Sequence, residues 1–218
     1  MGSEMCIRDR TRDAVKDLET KKVAGYVLDL RSNPGGLLES SIDISRHFIN
    51  KGVIVSTVSK NGLKETKKGN GQALTKKPLV VLVYEGSASA SEIVSGAIKD
   101  NKRGKLVGKK TFGKGLVQSM RTLVDGSGLT VTVAKYLTPN GTDINKSGII
   151  PDIEVKMNLN PILQREIGTR KDKQYRAGEK ELVNIIKRNN QISEFNPNTS
   201  NLNAFLKINK KDQVFALN

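Results

Sequence analysis

The segment Leu79–Glu92 reads LVVLVYEGSASASE, and it decides the fold class. Its first six residues are apolar, are rich in valine and follow Pro78, which predicts a short strand that is buried on both faces. The small residues Gly86–Ala90 then allow the backbone to turn sharply, and Ile93–Asp100 has the pattern of a helix. A buried strand, a tight turn and a helix start are typical of a layered α/β domain.

The serines of this turn are candidates for chemistry because of where they lie. The first turn of a helix has unpaired backbone N–H groups and a partial positive charge, so a serine hydroxyl there has oxyanion donors beside it. A structural interpretation is also available, since Ser91 followed by Glu92 fits an ordinary helix N-cap. The turn by itself leaves both interpretations open.

The composition excludes several function classes. A chain of 218 residues is long enough for one main α/β domain and a tail. The net charge of +15 could suit an acidic partner, but the basic residues are scattered, only 4% of residues are aromatic and there is no Trp. We therefore expect no nucleic-acid partner. We expect neither a transmembrane span nor an export signal, because the sequence has no run of 18 apolar residues and no charged start followed by an apolar stretch and a cleavage site.

The chain has one Cys and one His, which limits its chemistry. No intramolecular disulfide can form, and a Cys/His zinc site would lack ligands. A Ser-His-Asp triad would have to use His47, which falls on a predicted helix over Leu37–Asn50 with no acid or nucleophile at motif spacing. We therefore interpret His47 as a packing or surface residue and expect a different general base.

The other predicted elements complete a layered α/β domain. The strand Val23–Leu30 ends in the turn RSNPGG, whose glycines free the backbone to point an N–H at a ligand. Lys114 lies between two glycines. We predict further elements at the following places: strands Val53–Val58 and Lys105–Gly108, a polar connection Ser59–Lys77, a hairpin within Leu123–Leu137 and a charged helix Lys173–Lys187.

Four motifs in order resemble the carboxy-terminal processing peptidases, the tail-specific serine proteases. They are LDLRSNPGG at Leu28–Gly36, GSASASE at Gly86–Glu92, TFGKGLVQ at Thr111–Gln118 and GIIPD at Gly148–Asp152. The resemblance covers residues 11–156 and, more weakly, Lys171–Ile186. It implies a layered crotonase-like or Clp-like protease core of strands and packing helices, followed by a C-terminal helical tail.

The resemblance also implies a role for each motif residue. The nucleophile would be Ser89, and the base would be Lys114, 25 residues later. Gln118 would orient the lysine amine, and the backbone N–H groups of Gly35 and Ala90 would bind the oxyanion. The family implies no cofactor and no metal.

Physical chemistry is consistent with a lysine base, provided that the amine is neutral. Burial among small residues lowers the pKa of a lysine, and the neutral amine can then accept a serine proton. Asp100 has the position of an acid that matters in the family, although a helix-end Asp that caps a turn is an equal alternative. Asp29 and Arg31 are interpreted as structural supports of the Gly35 turn.

The resemblance divides the chain into three segments. Residues 1–10 fit no continuing pattern and are expected to be a non-native start, 11–156 form a protease core that is incomplete at its N-terminal side, and 157–218 form a helical, partly disordered tail. Full-length relatives carry an export signal and a PDZ domain that captures the substrate's terminal carboxylate, and we expect neither here. The family implies an exported compartment: the periplasm, the cell envelope or the thylakoid lumen.

The expected function is a Ser-Lys serine endopeptidase that cleaves proteins with a free C-terminus, near that terminus, through an acyl-enzyme. The alternative is a non-catalytic protein-binding fragment of such a protease, inactive because the PDZ domain and the N-terminal core are missing. The residues name neither the substrate nor the oligomeric state.

Overall fold

Two sheets carry the fold in the computed structural model, which describes the backbone of residues 2–156, 167–194 and 216–217. The helices are α1 (Gly2–Thr20), α2 (Leu38–Phe48), α3 (Ala90–Asp100) and α4 (Lys173–Glu194). The strands are β1 (Tyr26–Asp29), β2 (Val53–Ser59), β3 (Lys64–Lys68), β4 (Leu79–Val83), β5 (Lys105–Gly108), β6 (Leu116–Thr122), β7 (Gly128–Leu137), β8 (Ile153–Glu154) and β9 (Ala216–Leu217). The predicted α/β class is confirmed.

The parallel sheet brings two turns together at one edge. Its strand order is β8-β5-β4-β1-β9, and β1 pairs with β4 from Tyr26 opposite Leu79 to Asp29 opposite Leu82. Because parallel strands present their carboxyl ends on the same side, the turn after β1 lies beside the turn after β4. The RSNPGG turn and the serine-rich turn therefore meet.

The strand β4 is buried on both faces, as its sequence predicts. None of its five residues is more than 1% exposed. Its alternate residues enter two apolar clusters, one shared with α2 and α3 and the other shared with Tyr175 and Leu182 of α4. Helices therefore cover both faces of the parallel sheet, and its hydrophobic burial fixes where the turns lie.

The second sheet is antiparallel, with the order β3-β2-β7-β6. The predicted turn at Asp125–Gly128 joins β6 to β7, but β6 precedes the segment Leu123–Leu137 in which the whole hairpin was predicted. Other elements also differ from the predictions. The strand β3 lies inside the predicted polar connection, because pairing with β2 orders a charged segment that has no apolar alternation. The helix α1 extends over 2–10, and α4 continues beyond Lys187. Most of the predicted disordered end lies outside the described residues.

A buried ion pair joins α4 to the end of β1. The Arg31 Nη2 atom lies 2.6 Å from Asp29 Oδ2 and 2.8 Å from Asp172 Oδ2, and all three side chains are 3–4% exposed. Asp172 Oδ1 also accepts the N–H groups of Gln174 and Tyr175, so it caps α4. This network supports the interpretation of Asp29 and Arg31 as supports of the following turn.

We predict that Asp172→Asn lowers the free energy of unfolding by about 1–3 kcal/mol, because Asn keeps the helix cap but removes a charge beside buried Arg31. Asp172→Ala should cost about 1 kcal/mol more, through the lost cap. Burial raises the pKa of Asp172, but hydrogen bonds from Arg31 and from backbone N–H groups hold it below its ordinary value. The parent is thus more stable than the Asp172→Asn variant above pH 4, which is about the pKa of Asp in the unfolded chain. This difference in stability is lost as the pH falls through the lower pKa of Asp172 in the folded protein.

Urea denaturation between pH 3 and pH 7 measures the free energy of unfolding of the parent and of the two Asp172 variants, and its dependence on pH. Glu65→Gln is the matched control, because Glu65 is 64% exposed in its pair with Lys67 and its loss should change stability by less than about 0.5 kcal/mol. Equal stability of the parent and the Asp172→Asn variant at pH 7 would contradict the buried role.

Candidate active site

The turn after β4 distinguishes one serine from its neighbours. The buried Ser87 hydroxyl donates to the Leu30 carbonyl at 2.7 Å, and the buried Ser91 hydroxyl donates to the Asn33 carbonyl at 3.1 Å. Within the described residues the half-buried Ser89 hydroxyl donates to no protein acceptor. Ser89 is thus the one of the three whose hydroxyl proton is not already engaged.

Ser89 also has a strained backbone. It precedes α3 as the N-cap residue with φ 53° and ψ −113°, a conformation that costs a residue with a side chain of order 1–3 kcal/mol. Such strain persists only where the surroundings hold it, and it is concentrated at functional sites. The turn therefore presents the Ser89 side chain at the start of a helix, where backbone donors are unpaired.

The Glu92 carboxylate joins this turn to the lysine loop. Glu92 is fully buried, and its two oxygens accept four hydrogen bonds. The donors are the N–H of Ser89 at 2.9 Å, the hydroxyl of Thr111, the N–H of Gly113 at 2.7 Å and the N–H of Lys114 at 2.8 Å. A buried carboxylate needs several donors, and here those donors come from both motifs.

Tyr136 on β7 makes a second connection between the same two backbones. Its hydroxyl lies 3.1 Å from the Ser89 carbonyl oxygen and also contacts the Lys114 carbonyl oxygen. Burial, and then the nearby Glu92 charge, raise the pKa of Tyr136 well above its ordinary value, so the hydroxyl stays protonated and donates. Glu92 thus accepts hydrogen bonds from the N–H groups of Ser89 and Lys114, and the Tyr136 hydroxyl contacts the carbonyl oxygens of the same two residues.

A cleft of about 250 Å³ brings together four of the five predicted site residues, and Gly35 does not line it. Its lining consists of Gly36, Leu37, Leu38, Ser89, Ala90, Ile93, Lys114, Leu116, Val117, Gln118 and Tyr136. In the described contacts no hydrogen bond joins the Ser89 hydroxyl, the Lys114 amine and the Gln118 amide to one another, and Lys114 is exposed. The exposure differs from the expected burial, because none of the described residues covers the Lys114 side chain.

The Gly35 N–H is already bonded in this structure. It donates to the Asn33 side-chain oxygen at 2.9 Å, so an oxyanion at this position would have to displace or share that bond. Gly35 has φ +104°, and a Cβ there would lie 2.7 Å from the Ala88 carbonyl oxygen. Ala90 is the first residue of α3, where an N–H has no intrahelical partner. Of the two expected donors, Ala90 is the one that lines the cleft with Ser89.

Two other titratable candidates lie away from the cleft. His47 is half-buried on α2, burial lowers its pKa, and it does not line the cleft. Asp100, at the far end of α3 from Ser89, accepts the N–H of Asn140 at 2.9 Å, which fits its turn-capping alternative. In the part of the chain that the structure describes, no three His, Cys, Asp or Glu side chains are grouped to hold a metal. No described helix is long and apolar enough to cross a membrane.

Sequence reasoning missed Glu92 and Tyr136 as residues that organise the site. The signal for Glu92 was present, since Glu three residues after Ser89 has the spacing of a capping box, but the sequence analysis paired Glu92 with Ser91. Tyr136 had no signal, because it comes 47 residues after Ser89 in a hairpin that packs back onto the turn.

Comparison with known proteins identifies the family. The sequence profile of peptidase family S41 matches residues 4–155. The chain belongs to peptidase family S41. It is 53% identical over 164 residues to the carboxyl-terminal-processing protease of Synechocystis sp. (75% of this chain, 38% of the relative), and 45% identical over 156 residues to the carboxy-terminal processing protease CtpA of Bacillus subtilis (71% and 33%). The resemblance drawn from the four motifs is confirmed.

A solved structure agrees with the assignment of this S41 chain. The photosystem II D1 C-terminal processing protease aligns with a TM-score of 0.64 and 40% identity, over 74% of this chain and 44% of that one. The predicted layered protease fold is confirmed. The S41 chain spans less than half of the length of these relatives.

We predict that Tyr136→Phe reduces both stability and the reactivity of Ser89. The variant keeps the ring but removes the donor to the Lys114 carbonyl, whereas the Ser89 carbonyl keeps the N–H groups of Glu92 and Ile93; the loss should cost about 1–3 kcal/mol. The rate at which a small fluorophosphonate labels Ser89 should fall about tenfold, because the turn loses a bond that fixes its position. Intact-protein mass spectrometry measures the rate, and urea denaturation measures the stability.

Tyr84→Phe is the matched control. The Tyr84 hydroxyl is buried and has no hydrogen-bond partner among the described residues, so its loss should change neither quantity. Equal effects of the two Tyr→Phe changes would mean that the Tyr136 hydroxyl does not position the site.

Proposed function

We propose that this chain carries the catalytic residues of a serine endopeptidase that cleaves protein substrates near their C-termini. One observation carries the proposal: Ser89, at a strained helix N-cap with an unengaged hydroxyl proton, lines one cleft with Lys114. The Glu92 carboxylate binds the backbones of both residues. A nucleophile with a nearby base in a cleft is the general requirement of acyl transfer.

The proposed reaction follows from the roles of these groups. Ser89 Oγ attacks the carbonyl carbon of the scissile peptide bond while Lys114 Nζ accepts the hydroxyl proton. The N–H groups of Ala90 and Gly35 stabilise the oxyanion, and Gln118 orients the amine. Lys114 then donates the proton to the departing amine, and water hydrolyses the resulting ester by the reverse sequence.

The exposure of Lys114 sets a condition on this chemistry. A lysine accepts a proton only as a neutral amine, and burial favours the neutral form. A substrate in the cleft, or parts of a longer protein of the kind that the relatives have, would cover the exposed amine and favour its neutral form further. Covering the cleft would also strengthen every hydrogen bond to the oxyanion.

A second candidate function is a non-catalytic protein-binding fragment of an S41 protease. The observations that favour it are the exposed Lys114 amine, the missing hydrogen bond between that amine and Ser89, and the Gly35 N–H that is bonded to Asn33. In this alternative the cleft binds a peptide but does not cleave it.

The names of relatives support a protein or peptide substrate with a free C-terminus. Several are called carboxyl-terminal-processing proteases or peptidases, and three of the plant proteins are called chloroplastic. We therefore propose an exported compartment, such as the periplasm, the cell envelope or the thylakoid lumen. Each of these places would supply protein substrates.

The direct test uses a serine-reactive fluorophosphonate on the parent and on two lysine variants. We expect label on Ser89 alone, located by peptide mass spectrometry, and a labelling rate that increases with pH because only a neutral amine accepts a proton. Lys114→Arg should be as unreactive as Lys114→Ala, about a hundredfold or more below the parent, since arginine keeps the charge but cannot give up its proton.

His47→Ala is the control, because His47 lies outside the cleft and its loss should leave the labelling rate nearly intact. A reactive Lys114→Arg variant, or a folded but unreactive His47→Ala variant, would overturn the Ser-Lys assignment. A parent that binds peptide but is labelled on no serine would favour the non-catalytic alternative.

A further inference from the structure

The two expected oxyanion donors lie against each other, beside the candidate nucleophile. Gly35 packs so closely on the serine turn that an ideal Cβ on it would lie 2.8 Å from the Ala90 nitrogen and 2.8 Å from the Ser89 Cβ. Its φ of +104° also favours glycine at this position. The oxyanion hole that Gly35 and Ala90 would form is complete only when both N–H groups are free to donate to one oxygen.

A side-chain oxygen already takes the place of the oxyanion at one of these donors. The Gly35 N–H donates to Asn33 Oδ1 at 2.9 Å, and an oxyanion would lie about 2.7–3.1 Å from its donors. Because an N–H group has a single proton, it cannot make a well-aligned bond to both oxygens. The Gly35 side of the hole is therefore closed in this structure, whereas the Ala90 N–H, at the first position of α3, has no intrahelical partner.

The backbone of Asn33 is fixed, whereas one bond holds its side chain. The Asn33 carbonyl oxygen accepts the Ala88 N–H and the Ser91 hydroxyl, each at 3.1 Å, and is thereby attached to the serine turn. Pro34 restricts the Asn33 backbone further, to extended conformations. Among the described residues, the Asn33 side chain makes its one hydrogen bond with Gly35. Rotation of this side chain therefore breaks a single bond and leaves the turn in place.

A cavity beside the turn gives the Asn33 side chain room to move. Its volume is about 80 Å³, and its lining includes Asn33, Gly35 and the α2 residues Ser40 and Ser41. A cavity needs only roughly 10–15 Å³ to hold one water molecule, so this one has space for an amide group. Serine hydroxyls in the lining also offer hydrogen-bonding groups to the amide. The side chain can thus leave the Gly35 N–H without a backbone rearrangement.

We propose that Asn33 is a latch on the oxyanion hole: its side-chain oxygen holds the Gly35 N–H in the resting protein, and the reacting carbonyl oxygen of the substrate displaces it. The inference rests on the proposed peptidase function and adds a positioning residue that regulates the same site. As the substrate oxygen gains negative charge, it becomes a stronger acceptor than the neutral Asn33 amide. The exchange therefore favours the transition state over the bound substrate.

The latch and an ordinary supporting bond predict opposite effects of one substitution. If the bond only stabilises the turn, as Asn side chains do in many turns, its loss misplaces the Gly35 N–H and slows the reaction. If the bond is a latch, Asn33→Ala frees the N–H, and a small fluorophosphonate should label Ser89 about fivefold faster than in the parent, as one hydrogen bond implies. Intact-protein mass spectrometry measures the rate. An unchanged or lower rate in the folded variant would overturn the proposal.

Two further substitutions of Asn33 vary the strength of the acceptor. Asn33→Asp places a charged oxygen on the Gly35 N–H, and because such a bond is stronger, labelling should be about tenfold slower than in the parent. Asn33→Ser offers a weaker acceptor, so its rate should lie between those of the parent and Asn33→Ala. The labelling rate should thus fall as the acceptor becomes stronger, and the reverse order would contradict the latch.

Asn70→Ala is the matched control. The Asn70 side-chain oxygen accepts the Gln72 N–H at 3.2 Å, which is the same arrangement over two residues in an exposed loop that does not line the cleft. Its loss should leave the labelling rate unchanged. An equal acceleration in Asn70→Ala and Asn33→Ala would mean that a general loosening of the protein, and not the Gly35 N–H, raises the rate, and the latch would be wrong.

A binding measurement separates the latch from the catalytic assignment. If the fluorophosphonate labels Ser89 in neither the parent nor Asn33→Ala, the assignment of Ser89 as the nucleophile fails. Fluorescence anisotropy with N-terminally labelled tetra-alanine then tests the latch alone, because the terminal carboxylate of this peptide presents charged oxygens to the same N–H groups. Asn33→Ala should bind the peptide about fivefold more tightly than the parent does. Equal affinities, or binding to neither protein, would overturn the proposal.

Discussion

The Glu92 carboxylate is the group on which the geometry of the cleft depends. It is fully buried, and its hydrogen-bond donors come from the serine turn and from the lysine loop, which are more than 20 residues apart in sequence. Removing such a group leaves its buried donors unsatisfied, at a cost of about 1–3 kcal/mol each, so both segments are held to one place. The strained backbone of Ser89 is tolerable because Glu92 accepts its N–H, while Tyr136 and the first turn of α3 donate to its carbonyl.

The packing of the fold holds in place the segments that Glu92 connects. Burial of β4 on both faces fixes where its turn begins, and the Arg31 ion pairs with Asp29 and Asp172 hold the neighbouring turn after β1. The cleft then lies between the N-terminus of α3 and the strands β6 and β7 of the antiparallel sheet. Rigid elements therefore place Ser89, and Lys114 lies on the exposed side of the cleft.

Local patterns in the sequence predicted the elements whose burial decides their structure. The valine-rich run gave β4, the small residues gave the turn, and the four motifs identified the family, which the S41 match confirms. The charged strand β3 could not be predicted, because it is ordered only by pairing with β2. Tyr136 and the exposure of Lys114 could not be predicted either, since both depend on which segments meet across the cleft rather than on neighbouring residues.

Amide hydrogen exchange of the Glu92→Gln variant, measured by NMR, tests the central claim most directly. Gln has nearly the same shape, but one of its terminal atoms donates instead of accepting, so it cannot satisfy all of the N–H groups of Ser89, Gly113 and Lys114. We expect at least two of these three to exchange tenfold or more faster than in the parent, while the amides of β4 stay protected. Unchanged protection of all three N–H groups in the folded variant would contradict the account.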